Sequence, residues 1–146
     1  MELNFYHVMS GNLVPSVVRL LEKVYNTGKR SIFFSPLEDR VKIIDKTLWT
    51  FSKNAFVPHG DKEFGFADQQ AIYMASEVEN PNHATVLVIT DSFDYKSWKQ
   101  DFEKVIFVFE DDAYAKTAQK ILMDLKNQQK NVNYWRQSQK GWEKLN

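Results

Sequence analysis

The chain has 146 residues, of which 43% are hydrophobic and 26% charged, and its 19 basic side chains cancel its 19 acidic ones. That is the composition of one soluble globular domain long enough to bury a core unaided. The missing positive excess argues against a tight direct grip on nucleic acid, whose phosphates reward basic surfaces. There is no cysteine, which excludes a disulfide framework, thiolate metal sites and a cysteine nucleophile, and suits a reducing cytoplasm. The opening residues, with acidic Glu2 and His7 inside an apolar run, lack the basic and apolar regions of a signal peptide. No apolar run approaches the ~20 residues of a membrane span.

In chain order, Leu3 to Met9 reads as a short buried strand, and Gly11 and Pro15 lead into a helix. Val14, Val17, Val18, Leu21 and Val24 line one face of it, and Gly28 stands at its C-cap. Ser31 to Ser35 is a second strand, closed by Pro36. Leu37, Val41, Ile44, Leu48 and Phe51 then step by fours and threes, the period of an amphipathic helix. Phe56 to Phe66, rich in Gly, Pro and charge, reads as a loop, Gln70 to Ser76 as a third strand, and the cluster Asn80-Pro81-Asn82 as a turn. Ala84 to Thr90 is almost all β-branched or apolar and predicts a central strand covered on both faces. Asp91 or Ser92 can cap a short helix reaching Phe102. Lys104 to Phe109 is a further buried strand, and Ala113 to Gln129 a long helix with Ala118, Ile121, Leu122 and Leu125 inward. The polar, aromatic tail from Asn131 to Asn146 has no clear period. This alternation predicts a single domain over 1–146: an α/β fold with a mostly parallel twisted sheet and helices on both faces, resembling a nucleotide-binding fold without a phosphate loop.

Catalytic and ligand motifs are missing. Thr27-Gly28-Lys29-Arg30-Ser31 resembles the end of a P-loop, but Arg30 stands where Ser or Thr belongs and Lys23 where the first Gly belongs. It also follows a helix and precedes a strand, the reverse of the required order. His7, His59 and His83 have no ligand spacing, so no metal site and no cofactor is expected. Asp111 and Asp112 follow the last apolar strand, at the edge where such sheets bind ligands; they equally suit a helix N-terminus, and capping is the favoured reading. An enzyme or nucleotide-binding reading would use Asp91, Asp111 and Asp112. Trp135 and Trp142 are expected to fold back and be buried. Trp49, ending the second helix before a polar turn, is equally suited to core and to a partner surface.

The segment Arg19 to Gly60 resembles the DNA polymerase III chi subunit family. The matching residues are Lys23, Tyr25, Gly28 and Arg30; then Ile44, Asp45, Leu48, Trp49, Thr50 and Phe51; then Phe56, Val57, Pro58 and His59. Tyr134, Trp135, Arg136 and Gln137, with Gly141 and Trp142, continue the likeness. The resemblance implies a non-catalytic, cytoplasmic accessory subunit of the bacterial replicative polymerase, associated with its clamp loader. It implies two partners: a psi subunit, and the acidic C-terminal tail of single-stranded DNA-binding protein, which ends in Phe. Trp49 and Phe56 would build the pocket for that ring. Family basic positions on the last helix fall at Gln119, Met123 and Lys126, spaced four and three apart on one face. Only Lys126 keeps the charge, with Lys120 and Lys130 near enough to replace the others, while Lys116 reads as solvated.

Overall fold

A computed structural model describes residues 1–51, 59–61, 63–98, 102–110, 112–128 and 130–145. Its elements are β1 (Glu2–His7), α1 (Leu13–Asn26), β2 (Ser31–Phe34), α2 (Glu38–Phe51), β3 (His59–Gly60), β4 (Ile72–Ala75), β5 (Val86–Thr90), β6 (Lys104–Phe109), α3 (Asp112–Asn127), β7 (Asn131–Ser138) and β8 (Gly141–Lys144). They form one eight-stranded sheet in the order β3-β4-β2-β5-β6-β1-β7-β8. Every pairing is parallel except β7 with β8, which is an antiparallel hairpin. The expected α/β architecture is therefore the observed one.

Burial follows from what covers each strand. The interior strands β2, β4 and β5 are buried at every residue; of the two edge strands, β3 is buried beside α2 and β8 is exposed at every residue. Alternate strand residues feed two cores, as the period of two requires. Tyr6, Phe33, Met74, Val88 and Ile106 face Val17, Val18 and Leu21 of α1 and Val41, Ile44 and Leu48 of α2. Phe5, Ile32, Tyr73, Leu87 and Phe107 face Ala115, Ala118 and Leu125 of α3. Helices α1 and α2 thus share one face and α3 lies on the other.

Three local expectations change. The region read as a loop contains β3, because His59 and Gly60 pair with Ile72 and Tyr73 at the sheet edge. The short helix expected from Asp91 to Phe102 is, among the described residues, a single 3-10 turn at Lys96–Trp98. The unassigned tail supplies β7 and β8: Val132 and Tyr134 are buried beside β1. The amide of polar Asn133 is satisfied there, donating to Asn4 Oδ1 at 3.1 Å and Glu2 Oε1 at 3.0 Å.

Candidate partner surfaces and a filled ligand crevice

In this sheet α1 carries the chain from β1 toward β2, while α3 carries it from β6 the opposite way to β7. β1 and β6 are neighbours, so the ligand crevice of a doubly wound sheet would open beyond their carboxyl ends. The chain's own side chains engage donors there. The Gly11 amide, just before α1, donates to Glu110 Oε2 at 2.8 Å. The Met9 amide and the Asn12 side chain donate to Gln137 Oε1 at 3.0 and 2.7 Å. Donors that hold phosphate in nucleotide-binding folds are engaged by a carboxylate and an amide oxygen. Asp91, at the end of β5, is equally committed. Its carboxylate accepts from Ser35 Oγ at 2.8 Å, Thr90 Oγ1 at 2.7 Å and Arg40 Nε at 3.2 Å. Asp111 lies outside the described residues, and α3 begins at Asp112.

Trp49 sits near the end of α2 and is 42% exposed. Its ring lies 4.4 Å from that of His59 and 6.0 Å from that of Phe64, centroid to centroid. Its side chain hydrogen-bonds Asp45, one turn earlier. His59 is buried, with Nε2 at 3.1 Å from the Asp45 carbonyl oxygen and 3.3 Å from Asp45 Oδ1. Burial pushes the Asp45 carboxyl above its ordinary value, and His59 pulls against that shift. Phe64, 55% exposed, lies across Gly60, where a Cβ would stand 2.7 Å from the ring. Phe56 lies outside the described residues.

The expected cations are elsewhere. Gln119, Lys120, Met123 and Lys126 are exposed on α3, and Lys130 is exposed in the turn beyond it. Met123 is 66% exposed, and Gln119 reaches the Tyr134 hydroxyl. α3 packs on β7, whereas α2 packs on β3 and β4. From β4 to β7 is five strand spacings, about 24 Å, and the two helices are on opposite faces. The structure therefore groups the α3 positions with each other and not with Trp49. Sequence reasoning passed over Lys42 and Lys46, exposed on α2 seven and three residues before Trp49. Their spacing of four and three puts them on its helical face, the same signal used for α3. It also passed over Phe64, which no local pattern ties to Trp49.

The expectation that the tail tryptophans are buried fails. Trp142 is 41% exposed and Trp135 half-buried, because among the described residues no helix packs mainly over β7 and β8 on that face. Both rings lean on Tyr6, at 5.1 Å edge-on and 6.4 Å stacked.

Among the described residues no cluster of three or more His, Cys, Asp or Glu could hold a metal ion, and no helix is long and apolar enough to cross a membrane. Fold and surfaces together define an α/β protein of nucleotide-binding topology whose crevice donors are engaged by its own side chains and which leaves Trp49, Phe64 and Trp142 exposed. The family model for the DNA polymerase III chi subunit, HolC, matches residues 1–131. A protein of Rickettsia prowazekii (strain Madrid E) named "Probable DNA polymerase III subunit chi" is 30% identical over 113 residues, covering 73% of this chain and 68% of the relative. The chain belongs to the DNA polymerase III chi subunit family.

Proposed function

We propose that this chain works in the cytoplasm as a single-domain, non-catalytic accessory subunit of the replicative polymerase. It links the clamp loader, through a psi subunit, to single-stranded DNA-binding protein, whose acidic tail it captures. Family membership supports the general role. The observation that carries the tail reading is Trp49, a large ring left 42% exposed and braced by His59 and Phe64. Exposed aromatic rings on a rigid frame make good anchors for an apolar chain end. Phe56, expected to complete the pocket, follows Trp49 by seven residues in the sequence. Lys42 and Lys46 supply cations on the helix that carries Trp49. Lys120, Lys126 and Lys130, with Gln119 and Met123, are a separate set of exposed residues on α3 and the turn beyond it, suited to a second contact, the psi subunit or the tail's upstream acidic residues.

The alternative, a nucleotide-binding enzyme using Asp91, Asp111 and Asp112, is less favoured. Asp91 is held by three donors, and Glu110 would repel a phosphate at the Gly11 amide.

The test is titration with a short acidic peptide ending in Phe, followed by tryptophan fluorescence at low and moderate salt. Saturable binding that weakens with salt and is lost in Trp49→Ala is expected. No binding at high micromolar peptide, with the fold intact, would remove the tail-binding role.

A further inference from the structure

The α1 side of the sheet is unfinished. α1 packs chiefly on β2, β5 and β6, and α2 beyond it on β3 and β4. Beside α1 the sheet continues through β1, β7 and β8 without a helix over it among the described residues. There a cavity of about 310 Å³ opens, floored by Tyr6, Trp135 and Trp142 and walled by Ser16, Arg19, Leu20 and Lys23 of α1. Those four wall residues are one helical stripe, spaced three, one and three apart, running the length of the ledge.

Two features mark the ledge as a seat for something. Ser16 Oγ is buried against it with no hydrogen-bond partner among the described residues, a state that buried hydroxyls rarely keep. Arg19 and Lys23 border it one turn apart, and neither is in an ion pair among the described residues. Lys144, over the Trp135 ring at 5.9 Å, adds a third cation at the far rim.

We propose that this ledge docks an amphipathic helix of a partner protein, lying alongside α1, with its apolar stripe on Tyr6, Leu20, Trp135 and Trp142 and carboxylates one turn apart against Arg19 and Lys23. A helix fits better than a strand because it completes the layer that α1 and α2 begin. The apolar floor lies on the sheet face, whereas an added strand would meet only the β8 edge. The cations select an acidic border. The proposal rests on this geometry alone and stands or falls separately from tail capture at Trp49.

The probe is a synthetic amphipathic helix as long as α1, 14 residues, with a leucine stripe bordered by Glu, compared with a twin bordered by Lys. Binding is read from the indole N–H resonances of Trp135 and Trp142 and from gained helicity. The Glu-bordered peptide is expected to bind and to lose more than about tenfold in affinity on Trp142→Ala. The double variant Arg19→Glu, Lys23→Glu should reverse the preference to the Lys-bordered twin. Trp49→Ala should leave the affinity for either helix unchanged. Four results would overturn the proposal: neither helix binds; the two bind alike; an unstructured acidic peptide of the same composition binds as well; or the chain self-associates through Trp142, so that a second copy covers the ledge. Trp142 is exposed on an edge strand, so its variant retains the fold, and circular dichroism checks this.

Discussion

Arg40 on α2 grips the carboxylate of Asp91 at the carboxyl end of β5, with Nε at 3.2 Å from Oδ2 and Nη2 at 3.5 Å from Oδ1. Asp91 adopts φ +64°, in the left-handed region that Asp tolerates better than most residues. Oδ2 also accepts hydrogen bonds from the hydroxyls of Ser35 and Thr90, both buried, and Ser35 Oγ in turn accepts one from the Leu37 amide where α2 begins. One carboxylate therefore fastens α2 to the ends of β2 and β5. Replacing it by Ala strands a guanidinium and two hydroxyls, at a cost of about 3 kcal/mol. Asp91→Ala is expected to melt about 10 °C lower, and Asp91→Asn, which keeps acceptors, to lose less; differential scanning calorimetry decides.

The Glu110–Gly11 contact predicts indifference to nucleotides. A ligand at 100 times its dissociation constant adds about 2.7 kcal/mol of stability. Millimolar ATP or GTP with Mg²⁺ should leave the melting temperature unchanged. A rise of several degrees that disappears in Asp91→Asn would restore the enzyme reading.

Alkaline titration reports two buried phenols, Tyr73 and Tyr134, and the half-buried Tyr6. Burial raises the pKa of Tyr6, Tyr73 and Tyr134 above the ordinary tyrosine value, and Glu79, bonded to the Tyr73 hydroxyl, raises Tyr73 further. The folded chain thus holds protons that the unfolded chain has released. Stability is full below about pH 10 and falls as pH rises beyond it, by at most about 1.4 kcal/mol per pH unit for each phenol. Tyr73→Phe should flatten that decline by one proton in urea melts taken at successive pH values. An unchanged slope would contradict the assignment.

Trp49 and the α3 lysines should separate in binding. If the tail's ring docks at Trp49 and its nearer acids meet α2, Lys42→Ala with Lys46→Ala should weaken a short Phe-ended acidic peptide by about fivefold. Exposed pairs contribute only ~0.2–1 kcal/mol each. Lys120→Ala with Lys126→Ala should leave that short peptide nearly unaffected and act only on a longer one. Isothermal titration of both double variants distinguishes the two faces, and equal losses would place the peptide across both.

The sequence by itself determined the elements whose signal is local. β6 is legible at its observed bounds because Val105 to Phe109 is apolar at every position and suits a strand covered on both faces. α1 was read from the period of its valines and from Gly28, whose φ of +81° and amide donation to Tyr25 close the helix. The missing phosphate loop was equally legible, since such a loop is contiguous. Only the tertiary structure decided what depends on pairing across long separations. Asn131 to Ser138 becomes a strand because β1 offers it a partner, and Asn4 and Glu2 satisfy an Asn that would otherwise argue against burial. β3 is a strand only because β4 offers it a parallel edge to pair with. Helical spacing likewise places Gln119, Met123 and Lys126 on one side of α3, but not on one side of the molecule. Crossover direction fixes that, and it sets α3 and Trp49 on opposite faces of the sheet.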